Sequence, residues 1–128
     1  MSRQPPRPTE AELEILTVLW SRGPSTVRQI HESINQLKPA QYSTVLKFLQ
    51  IMADKGLVRR NEKQRAHIYE AAQPREWTQQ RLAGDLLQRA FGGSAANLLM
   101  GALSSRKASK QELAELRKLL DEFEKGAK

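Results

Sequence analysis

Two groups of side chains have types and spacing suited to chemistry. The first is Tyr42, Ser43, Thr44, Leu46 and Lys47, with Gln50 along the same outer surface. Short hydroxyl side chains at a helix start can approach base edges or phosphates, and Lys47 shares a helical face with Ser43. The lysine can donate to guanine or only to phosphate. Tyr42 and Thr44 sit where an aromatic or hydroxyl can reach a phosphate. The second group is Arg59, Arg60, Lys63 and Arg65. Such a cluster suits a polyanion and supplies affinity and register rather than sequence choice. Each group also has a plainer account: a solvated helix face for the first, and a strand edge protected by charge for the second.

Covalent and metal chemistry find little here. The chain has no cysteine, which excludes disulfides, zinc-thiolate sites, iron–sulfur clusters and cysteine nucleophiles. Its two histidines, His31 and His67, read as a packing or capping residue on a helix and as part of a strand. There is no glycine-rich phosphate loop, no G-x-S-x-G and no metal-ligand spacing. The expectation is no catalytic residue, no metal and no cofactor.

The 128 residues suffice for one ordinary domain or two very small ones. An apolar share of 39% with 27% charged residues is a globular balance. The net charge is +7, and it is concentrated. Between Lys38 and Arg65 stand seven basic residues against only Asp54 and Glu62. No apolar run approaches the roughly 18 residues of a membrane span. Residues 1–8 lack the apolar stretch of a signal peptide. A cytoplasmic protein without membrane insertion is expected, beginning with a disordered arm over residues 1–8.

The elements that must position these groups are legible. Thr9 to Glu12 forms a capping box, and a helix follows with Leu13, Leu16 and Trp20 at helical spacing, stopped by Gly23-Pro24. A second helix begins at Ser25 with Val27, Ile30 and Ile34 as its stripe. A third begins near Gln41 to Ser43, buries Val45, Phe48, Leu49 and Met52, and ends at Gly56. The period then changes: Leu57 to Arg60 and Ala66 to Tyr69 read as strands around a basic tip at Asn61 to Arg65. Three short helices and a hairpin are the order of a winged helix-turn-helix over residues 9–73.

Residues 74–128 turn helical again. Trp77, Leu82, Leu86, Leu87 and Phe91 favour one helix, broken at Gly92-Gly93. An apolar segment from Ser94 to Leu103 follows, and a second capping box, Ser109 to Glu112, opens a last helix that frays from Lys125. Leu98, Leu99, Leu103, Leu113, Leu116, Leu120 and Phe123 are too much apolar surface for so short a region to hide alone, so pairing with a second copy is expected. The fold class is therefore mainly α with a small β-hairpin wing, completed by a C-terminal helical dimerisation region.

The residues Glu12-Leu13-Glu14-Ile15-Leu16 through Val18-Leu19-Trp20, then Thr26 to His31, Tyr42 to Leu49, and Lys55-Gly56-Leu57-Val58 with Tyr69, resemble the penicillinase-repressor family, the BlaI/MecI/CopY group of bacterial winged-helix repressors. The resemblance runs from about Pro8 to Phe123 and is most specific up to Tyr69. It implies a homodimeric transcriptional repressor bound to double-stranded operator DNA of two-fold symmetry, with the C-terminal helices forming the dimer. It also implies control by a membrane-bound sensor protease that cuts the C-terminal region. The chain departs from the family pattern in places. Gly101-Ala102 stands nearest to the family's Asn-Phe cleavage pair. Without cysteines, copper sensing by thiolates is excluded. Ile51 stands where the third helix often carries Arg, and Gln64 where the wing turn often carries Gly. Two other readings stay open: a winged protein-interaction module with an acidic partner, and a non-specific DNA-binding protein.

Overall fold

The computed structural model describes residues 6–63 and 65–127. Residues 1–5 of the expected arm and Gln64 of the wing turn lie outside them. The described residues form two compact units, divided after Leu82. That division follows packing and falls midway along the helix Arg75–Ala90, whereas the joint expected after residue 73 precedes that helix.

The first unit begins with α1 (Glu10–Arg22). The Thr9 hydroxyl accepts from the Glu12 amide at 3.2 Å, and the Glu12 carboxylate accepts from the Thr9 amide at 2.8 Å. Residues preceding the helix are not wholly outside the fold, since Pro8 is partly buried. The buried face carries Ile15, Leu16, Val18 and Leu19, while Leu13 and Trp20 are half-buried at its margins. Gly23, at φ 87°, ends the helix where a side chain would be strained.

Ser25 does not begin the second helix. Ser25–Thr26 is a short strand, β1, and Thr26 caps α2 (Val27–Leu37) through a reciprocal pair with Gln29. α3 (Tyr42–Lys55) follows, burying Val45, Leu49 and Met52, with Phe48 only half-buried. Gly56 closes it in the left-handed conformation.

The wing strands sit further along the chain than the sequence pattern indicates. They are β2 (Val58–Asn61) and β3 (Ile68–Ala71), with Val58 opposite Ala71 and Asn61 opposite Ile68. The reversal starts where the Asn61 side chain accepts from the Lys63 amide at 3.0 Å, a local turn that competes with strand pairing. His67 consequently lies before the strand rather than in it, and is exposed. The sheet order is β1-β3-β2, antiparallel throughout. Tyr69, on the central strand, points into the core with Ile30, Leu49 and Met52. At about 1.5–3 kcal/mol for each fully buried large apolar side chain, this shared core fixes helices and sheet together.

α4 (Arg75–Ala90) opens within this unit, where Thr78 is buried. The Trp20 indole donates to the Gln73 carbonyl at 3.0 Å, tying the end of α1 to the chain that leaves the wing.

The second unit holds the rest of α4, then α5 (Ala95–Ser105) and α6 (Lys110–Gly126). Phe91 lies just past α4, and Gly92 and Gly93 make the turn with positive φ. Ser94 caps α5. At α6 only half of the expected capping box forms. Ser109 accepts from the Glu112 amide, but the Glu112 carboxylate turns to Arg106 at 3.0 Å. The guanidinium offers a charged donor that the cap amide does not. The helix persists through Gly126, beyond the expected fraying point. No residue of α5 or α6 is buried.

Candidate nucleic-acid interface

The candidate interface is built on α3 and the wing, both within the first unit. α3 turns Val45, Leu49 and Met52 inward and leaves Tyr42, Ser43, Thr44, Lys47 and Gln50 exposed. Leu46 is half-buried and packs against the core, so only part of it reaches the surface. Ser43, Thr44, Lys47, Phe48 and Ile51 line one shallow depression of about 440 Å³.

The start of α3 is held by contacts that sequence reasoning did not find. The Asn35 side chain accepts from the Ala40 amide at 3.1 Å, and His31 Nε2 lies 2.7 Å from the Ala40 carbonyl oxygen. A carbonyl only accepts, so Nε2 carries the hydrogen. The Tyr42 ring meets the His31 ring edge to face, with centroids 5.8 Å apart. The turn that launches α3 is therefore pinned on both backbone groups of one residue. Gln41, the residue before the helix, makes no side-chain cap, so the first amides of α3 are not claimed by it.

The far end of α3 is held by charge. Lys55 Nζ lies 2.9 Å from Glu12 Oε2, and Glu12 is 1% exposed. Burial pushes the Glu12 carboxyl up, but the Thr9 amide and the Lys55 ammonium together hold it below the usual carboxylate range. Glu12 thus caps α1 and anchors α3. The capping role is visible in the sequence; the partner, 43 residues away, is not.

The cations sort into two classes. Four of the seven between Lys38 and Arg65 are engaged by carboxylates. Lys38 pairs with Glu14 at 2.8 Å, which holds its ammonium above the usual value, and Lys55 pairs with Glu12. Arg59 reaches Glu70 across the wing at 3.5 Å, and Arg60 pairs with Glu62 and with the Tyr69 phenol oxygen, which raises its already high pKa. Lys47, Lys63 and Arg65 are exposed and make no ion pair among the described residues. A phosphate brought to these three would displace no carboxylate. All nine expected contact residues, Tyr42, Ser43, Thr44, Leu46, Lys47, Arg59, Arg60, Lys63 and Arg65, thus lie on α3 or the wing, but with unequal freedom.

A family model for the penicillinase repressor matches residues 8–122. The chain belongs to the penicillinase repressor family. It is 32% identical over 118 residues to transcriptional regulator BlaI of Mycobacterium tuberculosis, covering 91% of this chain and 85% of that protein. It is 18% identical over 115 residues to the penicillinase repressor of Staphylococcus aureus, covering 90% and 91%. A solution structure of the monomeric form of Bacillus licheniformis BlaI, in complex with the blaP half-operator, shares the fold at TM-score 0.50. It is 18% identical, and the match covers 57% of this chain and 89% of that one. Membership makes the chain a transcriptional regulator of the repressor class and not an enzyme. Among the described residues no helix is long and apolar enough to cross a membrane.

The expected dimer residues lie in the second unit. Leu98, Leu99, Leu103, Leu113 and Leu116 are half-buried within it, whereas Leu120 and Phe123 are exposed, Phe123 by 75%. The Gly101-Ala102 bond lies inside α5, and a Cβ on Gly101 would meet the Phe91 ring at 3.4 Å.

Proposed function

We propose that the protein represses transcription by binding a pseudo-palindromic operator as a homodimer in the cytoplasm. Ser43, Thr44, Leu46 and Lys47 read base edges, and Tyr42, Arg59, Arg60, Lys63 and Arg65 meet the backbone. The observation that carries this reading is the uncovered Lys47, Lys63 and Arg65 on one braced winged unit. Arg59 and Arg60 reach phosphate only by leaving Glu70 and Glu62. Leu98, Leu99, Leu103, Leu113, Leu116, Leu120 and Phe123 form the dimer core; the exposure of Leu120 and Phe123 and the incomplete burial of the other five in a single copy support that role. Two-fold symmetry then places the half-sites on one side of the duplex. A membrane-bound sensor protease that cuts near Gly101-Ala102 would first have to unwind part of α5.

Fluorescence anisotropy at about 150 mM salt tests the reading, because exposed charge is already well screened there. The probe is the DNA upstream of the protein's own gene, followed by duplexes selected from a random pool, with shuffled DNA as competitor. Specific binding at least about a thousandfold tighter than to shuffled DNA is expected. Equal binding to all duplexes would replace the operator reading with non-specific coating. No salt-dependent DNA binding would leave a protein-interaction module.

A further inference from the structure

On the outer surface of α3, Ser43, Lys47 and Ile51 recur every four residues and form one ridge. Its last member is apolar. Ile51 is 38% exposed, and it shares a surface depression with Thr44 and the half-buried ring of Phe48. A lone exposed isoleucine would need no account. This one adjoins a methyl-bearing threonine and an aromatic ring, on the face that carries an unpaired lysine. An apolar patch on a base-reading helix has one apolar feature to meet in the major groove, the C5-methyl of thymine.

We infer that Ile51, with the methyl of Thr44, is a specificity-determining residue that packs on a thymine methyl in each half-site. The inference rests on the operator reading above and names what that surface selects. Lys47 supplies a hydrogen bond or a phosphate contact on the same ridge, while Ile51 supplies a contact that no hydrogen-bond pattern can replace. Cytosine and deoxyuridine, which lack the methyl, are disfavoured at that position; 5-methylcytosine restores the contact.

The test uses the full-length protein and its selected duplex, with each thymine replaced in turn by deoxyuridine. This removes the methyl and leaves base pairing intact. One position per half-site is expected to weaken wild-type binding about fourfold, the scale of one buried methyl group. Ile51→Ala should lose most of the discrimination between the thymine and deoxyuridine duplexes, the Thr44 methyl keeping a remainder, with an unchanged melting temperature and an unchanged salt slope. Ile51→Val should retain an intermediate preference. The inference is overturned if wild type tolerates deoxyuridine at every thymine, or if Ile51→Ala keeps the same fourfold dependence. A wild-type protein that selects no duplex at all overturns the operator reading and this inference together.

Discussion

The two units are built from similar helices but hide their apolar residues to very different degrees. In the first, Ile30, Leu49 and Met52 are wholly removed from solvent and Tyr69 nearly so. In the second, α5 and α6 bury nothing completely, and Leu86, Met100, Leu119, Leu120 and Phe123 stay exposed. The difference separates self-sufficiency from dependence. A sheet laid on three helices closes a core within one chain, whereas two amphipathic helices and the end of a third leave an open face. Association of two copies would complete what the second unit lacks.

Breaking each side of this contrast should have a distinct signature. The largest effect is expected from Leu116→Asp, which places a charge on the open face. Its dimer dissociation constant should rise at least about a hundredfold, from roughly 3 kcal/mol of unfavourable charge burial. Light scattering should then report monomers whose winged unit remains folded; a persistent dimer would place the interface elsewhere. Leu49→Ala acts on the closed side. Deleting this buried side chain should lower unfolding free energy by about 3 kcal/mol, whatever the protein concentration. A concentration-dependent loss in denaturant titrations would mean that the first unit also relies on a partner.

A smaller effect concerns the buried pair between α1 and α3. The Glu12 carboxyl is held below its ordinary value. Its stabilisation is therefore fully present above the ordinary glutamate range and is lost as pH falls through the lowered folded-state value. Glu12→Gln should cost roughly 1.5 kcal/mol near neutral pH, and much less once acid has protonated the wild-type carboxyl. Melting curves between neutral and acidic pH would show the two proteins converging; parallel curves would deny the pair its role. The smallest effect distinguishes the wing cations. Arg65→Ala should reduce the slope of log affinity against log salt by about 0.9, one phosphate contact. Arg59→Ala should reduce it by less, because Glu70 already neutralises that arginine. Equal changes would mean that leaving Glu70 costs the Arg59 contact nothing.

What the sequence made legible was what acts over short distances. The capping box at Thr9, the stop at Gly23, the cap at Gly56 and the apolar stripes of the helices each need only a few neighbouring residues, and each is present in the fold. The order of three helices and a hairpin followed from them. The third strand escaped notice because two residues, Ser25 and Thr26, are too few to leave a period, and their partners lie beyond two helices. The bounds of the wing strands were missed because a side-chain turn at Asn61 sets where pairing stops. The candidate contact surface was legible as residue types. Which cations are engaged was not, since Arg59 with Glu70 depends on cross-strand register and Lys55 with Glu12 on tertiary packing.

The turn before α3 carries a kinetic consequence. Ala40 has its amide held by Asn35 and its carbonyl by His31, and Tyr42 rests against the same imidazole. The segment that leads into the candidate contact helix thus loses its conformational freedom during folding, before any duplex is met. Encounter then resembles the docking of a rigid body, with association governed by diffusion and charge rather than by a slow ordering step. Loosening the turn by Asn35→Ala should accordingly slow association while leaving the charge that draws the duplex in unchanged.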